Sequence, residues 1–154
     1  MSSAIPSAGR DRADLIGALA ATISLVLMAA LFTARLAGWE GWDRAFGAAA
    51  LLVVVPMVYL LVRARRDGQR AIYTIWIGTV IAFQLVELLL DYVLVLDFRD
   101  NNAIVIPYVM LFFAAMGALI GIASRAGRRW VAITGPLFLV VAVLTFVSRD
   151  VTGV

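Results

Sequence analysis

The chain contains no cysteine and no histidine, and none of its 13 basic residues is lysine; all are arginine. Without cysteine there is no disulfide, thiol redox relay or cysteine nucleophile. Without histidine, the usual haem ligation and the zinc-protease motif are excluded. Serine nucleophiles that use His or Lys as their base fall with them. The lack of lysine removes retinal-type and pyridoxal-type Schiff bases and the phosphate-binding GK[ST] loop. The remaining chemistry must run on carboxylates, arginine, tyrosine, hydroxyls and backbone, and no recognised catalytic motif is built from them. The reading therefore leans away from an enzyme and expects neither a cofactor nor a metal.

Charge is scarce as well. Of 154 residues only 15% are charged and 64% are hydrophobic, against about 25% charged in an average soluble domain. That balance points to a bilayer as the solvent and leaves no room for a second, aqueous domain. The net charge of +3 does not indicate nucleic acid, because the arginines fall in short connections between apolar runs instead of forming a basic face.

Five apolar runs approach the roughly 20 residues that a spanning helix needs. They cover residues 15–37, 46–62, 72–96, 103–123 and 130–147. The expected fold is all-α: one bundle of five transmembrane helices over residues 14–148, with a polar tail at 1–13 and a short tail at 149–154. Turn chemistry marks the connections at Gly38-Trp39-Glu40-Gly41, Arg66-Asp67-Gly68, Asp100-Asn101-Asn102 and Ala126-Gly127. Arg10 and Arg12 precede the first run, which is longer than the ~7–15 residues of a signal-peptide core, so a retained signal-anchor helix is favoured over a cleaved leader.

The arginines alternate in density along the chain. Nine (Arg10, Arg12, Arg63, Arg65, Arg66, Arg70, Arg125, Arg128, Arg129) flank one set of ends, and four (Arg35, Arg44, Arg99, Arg149) flank the other. The positive-inside rule places the N-terminus in the cytoplasm and the C-terminus outside, in a cytoplasmic membrane. An odd number of spans requires the same asymmetry. The two dense clusters, 63–70 and 125–129, are expected to lie on anionic lipid head groups. Trp39 and Trp42 read as outer interface anchors, Tyr73 and Trp130 as inner ones. Pro107 and Pro136 fall near the starts of the fourth and fifth runs, whereas Pro56 is central in the second and should kink it, freeing a carbonyl about one turn earlier.

Helices associate in lipid through close approach at small residues. Gly117 and Gly121 form a GxxxG in the fourth run, flanked by Ala114 and Ser124. Gly17, Ala20, Ala21 and Ser24 form a comparable stripe in the first. Both are expected as helix-packing seams within the bundle. A short likeness between Met28-Ala29-Ala30-Leu31 and Met116-Gly117-Ala118-Leu119 is read as chance in so apolar an alphabet.

The polar feature that stands out is a stripe in the third run: Gln84, Glu87 and Asp91, at positions i, i+3 and i+7 of one helix face. A carboxylate at membrane depth is costly unless neutralised, paired or hydrated. Counted from Arg70 at ~1.5 Å per residue, Glu87 sits roughly 25 Å up and Asp91 roughly 31 Å, in the outer half of the bilayer. Partners at that depth are Arg35, Tyr108 and Arg149, with Arg35 the leading one for a charge pair. The stripe reads first as a buried polar seam of a non-enzymatic assembly or accessory component organised around the third helix, in a homo-oligomer or a larger membrane complex. The alternative is a small carrier or channel for a proton, cation or small solute that uses Glu87 and Asp91, with Gln84 orienting them.

Overall fold

The computed structural model describes residues 8–39, 41–94 and 101–152. The order is α1 (Ala8–Leu36), α2 (Trp42–Leu51), α3 (Val54–Arg66), α4 (Ala71–Glu87) with a π-helical extension (Leu88–Val93), α5 (Asn102–Ser124) and α6 (Arg128–Thr152). Joined where they run on, these make five helices long and apolar enough to cross a membrane: Asp11–Leu36, Trp42–Arg66, Ala71–Val93, Ala103–Ser124 and Arg128–Val151. The described helices are longer at most ends than the apolar runs, because amphipathic and charged residues continue the helix into the interface. The predicted end of the third run at Leu96, the loop residues Glu40 and Asp100 and parts of both tails lie outside the described residues.

The chain ends its helices by local means. After α1 and after α3, a left-handed glycine, Gly38 (φ +68°) and Gly68 (φ +60°), carries the turn. The following residue bonds back into the helix, Trp39 N to Ala34 O at 3.0 Å and Gln69 N to Ala64 O at 2.9 Å, as in a Schellman cap. Asn101 caps α5, its side chain accepting from Ala103 N at 3.0 Å. Thr22, Thr33, Thr79, Thr134 and Thr145 each donate their hydroxyl to the carbonyl four residues back. That satisfies a polar group in apolar surroundings without a partner helix.

The first helix organises the packing. It touches α2 and α3 on one side and α5 and α6 on others, while α4 lies between α3 and α5. Its inward face is small: Ala13, Gly17, Ala18, Ala20, Ala21 and Ser24 are buried, and Leu15, Leu19, Ile23 and Val26 face outward. Small residues let backbones approach, the usual basis of helix association in lipid. At Gly17 a Cβ would lie 2.9 Å from Ile122 Cγ2 and 3.4 Å from Leu60 Cδ1. The core then fills with Phe83, Leu25, Met57, Leu60, Ile77, Met116 and Leu119. Outside, long apolar side chains such as Leu52, Val55, Ile75, Met110 and Val143 are well exposed, far more apolar surface than a water-soluble monomer carries.

Four expectations need correction. The GxxxG of α5 is not a single seam: Gly121 packs against the Trp76 ring of α4, a Cβ there lying 2.8–2.9 Å from ring carbons, whereas Gly117 is exposed with nothing within 4 Å of its would-be Cβ. The two glycines are a helical turn apart, but only Gly121 lies against a side chain of α4. Tyr73 is no interface anchor; it is buried in the core. Pro136 lies inside α6 rather than at its start, because that helix begins at Arg128. The second span is more than kinked: α2 stops at Leu51 and α3 resumes at Val54.

That interruption follows from Pro56, which cannot donate to the carbonyl one turn back. The chain tightens before it, with Leu52 N to Ala49 O at 3.2 Å, Val53 N to Ala50 O at 3.1 Å and Val55 N to Leu52 O at 3.2 Å. These i→i−3 bonds are 3₁₀ geometry, the usual repair where an α ladder fails.

The glycine contrast is directly testable. Gly121→Ala should destabilise the bundle by about 1–3 kcal/mol through overpacking on the rigid Trp76 ring. Gly117→Ala should be neutral or slightly stabilising, since it removes a helix-interior glycine at no steric cost. Thermal unfolding in detergent of the two variants checks this; equal losses would show that Gly117 is also in contact.

Candidate polar site of the fourth helix

The inward stripe of α4 runs Tyr73, Ile77, Val80, Gln84, Glu87, at helical spacing. Gln84 is 4% exposed and Glu87 6%. Gln84 Nε2 donates to the carbonyl of Ala50 at 3.0 Å. This is the carbonyl that already receives the tightened bond from Val53 at the break in the second span. The side chain thus adds a second donor to backbone whose regular ladder Pro56 disrupts. Two features that look unrelated in the sequence, a proline in one span and a glutamine in another, act on the same interrupted stretch of backbone. Gln84 Oε1 is buried and has no hydrogen-bond partner among the described residues.

Beyond Glu87 the helix widens. Leu88–Val93 is π-helical, and Leu94 N donates to Leu89 O at 2.8 Å, five residues back. Asp91 within it is half-buried rather than sealed. In a π turn the residue at i+5 comes round toward the face that i occupies. Tyr92, five after Glu87, is thereby carried toward α2, where its hydroxyl donates to Arg44 O at 3.0 Å. Gly47 makes room, since a Cβ there would lie 2.5 Å from the Tyr92 oxygen. Counting i, i+4, i+8 from Gln84 reaches Tyr92, but its partner on α2 appears only in the structure.

The three residues expected as partners take different positions. Tyr108, half-buried on α5, has its ring 5.9 Å from that of Phe83, the neighbour of Gln84. Phe83 also meets Phe112 at 5.5 Å, and Phe112 meets Phe32 at 6.1 Å, so an aromatic cluster fills the space between α1, α4 and α5. Arg35 does not join the stripe. Its guanidinium lies over the Phe32 ring, 5.8 Å from the centroid, and the two ion pairs among the described residues do not include it. Phe32 is one turn away on the same helix, so the long side chain can stay on α1 and keep its charge toward the interface. Arg149 is exposed near the end of α6, which packs on α1 and α5. Ser24 is buried at 2% exposure on the small face of α1.

A second polar cluster, missed in the sequence, closes the opposite end of the bundle. Arg125, just past α5, pairs with Asp14 of α1 at 3.4 Å, donates to Gln69 Oε1 at 3.0 Å and sits 4.7 Å from the Tyr73 ring centroid. Three segments distant in sequence meet at one guanidinium, whose planar fork suits simultaneous pairing and stacking. Arg125 is therefore turned inward, not onto lipid head groups as its arginine-rich neighbourhood suggests. The available signal was Asp14, an acid at the start of an apolar run that needs a cation nearby.

Two variants at each cluster separate these roles. Gln84→Leu should cost no more than about 1 kcal/mol, since the lost tie is offset by removal of a buried acceptor without a donor. Gln84→Glu should cost about 2 kcal/mol or more by setting a carboxyl against the Ala50 carbonyl. At the other end, Arg125→Ala should cost about 2 kcal/mol by stranding a partly buried Asp14, and adding Asp14→Asn should recover part of the loss. Unfolding curves of the single and double variants decide both; a Gln84→Glu loss as small as that of Gln84→Leu would remove the Ala50 contact from the account.

Compared with known proteins, the chain matches no family model, no curated sequence and no solved structure, so its function is read from the geometry above.

Proposed function

We propose that the chain is a multi-pass protein of a cytoplasmic membrane, N-terminus in the cytoplasm and C-terminus outside, acting as a non-enzymatic assembly or accessory component organised around α4. The orientation rests on the arginine asymmetry, nine against four, and on the positive-inside rule. The reading of α4 as a seam is carried by one observation: the buried bond from Gln84 to the Ala50 carbonyl. Polar side chains serve as ties between helices in membranes. Glu87 lies on the same sealed face, so in this conformation water has little approach to it. An assembly role also suits the outer surface of α5, where Ala114 and Gly117 are exposed beside open space; a helix of a second copy or of another subunit could approach there closely.

A carrier that uses Glu87 and Asp91 is the second reading. It draws support from the broken second span and the π turn, which flank the polar stripe from two helices. Interrupted helices at membrane depth are a common way to build ion and solute sites.

Three measurements test these readings. The absence of native cysteine makes single-cysteine labelling free of background: Arg70→Cys should react with an impermeant reagent only from the cytoplasmic side and Trp39→Cys only from outside. The reverse pattern would overturn the orientation. Native mass spectrometry of gently extracted protein should show an oligomer or a complex, and a lone monomer would count against assembly. Reconstituted Glu87→Gln and Asp91→Asn variants should leave proton flux at the wild-type level; a flux that depends on either residue would transfer the site to the carrier reading.

A further inference from the structure

The arginines at the densely charged end of the bundle are not equivalent. Arg125 is engaged inward by Asp14 and Gln69. Arg128 and Arg129 stand exposed in the first turn of α6. At the C-terminal end of α3, by contrast, Tyr59, Val62, Arg63, Arg66 and Asp67 line a cleft of about 270 Å³.

Tyr59, Val62, Arg63 and Arg66 recur at helical spacing and so form one stripe. Arg63 is held in place along it. Its Nη1 donates to the Tyr59 hydroxyl at 2.9 Å, and its Nε lies 3.4 Å from Asp67 Oδ2. A guanidinium has five donors, so three remain for a ligand on a side chain whose position is already set. Arg66, one position before Asp67, is exposed and has no ion pair among the described residues. Arg65 and Arg70 are exposed beside it. Over residues 63–70 the balance is four arginines against one carboxylate, which outweighs the weakly negative end of the helix. Toward the bundle's middle the same side of the helix continues as exposed Val62, Val58 and Val55. A charged cleft thus opens onto an apolar strip, and those are the two ends of an amphiphile.

We propose that this cleft is a binding site for one anionic phospholipid, its phosphate held by Arg63 and Arg66 and an acyl chain lying along Val62, Val58 and Val55. Forked arginine donors match phosphate oxygens two at a time. Asp67 opposes the phosphate and limits affinity, and Tyr59 keeps Arg63 extended across the mouth of the cleft. The site lies at the opposite end of α3 from the Gln84–Ala50 tie and does not depend on whether α4 is a seam or a carrier.

The experiment is native mass spectrometry of the full chain in mild detergent, titrated separately with phosphatidylglycerol, phosphatidylcholine and inorganic phosphate. One phosphatidylglycerol per chain should be retained about tenfold better than phosphatidylcholine. Arg63→Gln with Arg66→Gln should lower that affinity by about tenfold or more, while Arg128→Gln with Arg129→Gln, which removes the same charge nearby, should leave it unchanged. Asp67→Asn should tighten it. Arg66→Gln alone changes only an exposed side chain, so it reports on the site even if the double variant folds poorly. Equal losses in the two double variants would mean diffuse charge attraction and overturn the proposal. So would equal retention of the two lipids, unchanged affinity in Arg66→Gln, or displacement of phosphatidylglycerol by equimolar inorganic phosphate, which would show that the acyl chain contributes nothing.

Discussion

Backbone polar groups must be satisfied within the bundle where water cannot reach them, and that constraint is sharpest where the helix of the second span is interrupted. Pro56 removes one donor from the helical ladder of the second span, and the helix is interrupted at Leu52 and Val53. The chain responds first with local 3₁₀ bonds and then with a side chain from another helix, Gln84, at the Ala50 oxygen. That bond ties α4 to the second span. Once Gln84 faces the second span, Ile77, Val80 and Glu87 must face inward as well, because they share its stripe.

Close approach is the second requirement, and α1 meets it. Its run of alanine, glycine and serine lets three other spans pack on it without long side chains intervening. In lipid no hydrophobic exclusion drives helices together, so the gain comes from contact density and from the few polar ties available. Larger side chains from α1, α3, α4 and α5 fill the core, with Phe83 and Phe112 in edge-on contact. Where an aromatic ring must come closer still, glycine provides the gap, as Gly121 does for Trp76 and Gly47 for Tyr92.

The two ends of the bundle use charge differently. At one, Arg125 gathers Asp14, Gln69 and Tyr73 into a partly buried clasp between segments far apart in the chain. A few residues away, Arg63 is steadied by neighbours on its own helix and remains part of the surface. Where the partners lie therefore decides which arginine holds the fold together and which is available to a ligand: those of Arg125 come from other segments, those of Arg63 from its own helix and the turn after it. At the opposite end, Arg35 lies over the Phe32 ring of its own helix and Arg149 is exposed.

Several properties follow from the amino-acid order alone. The five spans are legible because each is a long apolar run bounded by turn residues. The stripe of Gln84 and Glu87 is legible because a helix places i and i+3 on one face. The break near Pro56 is legible because proline has no N–H. All of these depend on near neighbours in the chain. What the tertiary structure alone decides is who meets whom: Gln84 finds an acceptor 34 residues away and Arg125 an acid 111 residues away. Gly121 meets a ring while Gly117 meets none. The departure of Leu88–Val93 into a π turn, which delivers Tyr92 to α2, is likewise invisible to any reading that assumes 3.6 residues per turn. The physical reason is common to all of them: helix periodicity is local and regular, whereas pairing depends on the order, depth and rotation of helices, and an alphabet dominated by alanine, leucine and valine distinguishes those arrangements only through packing.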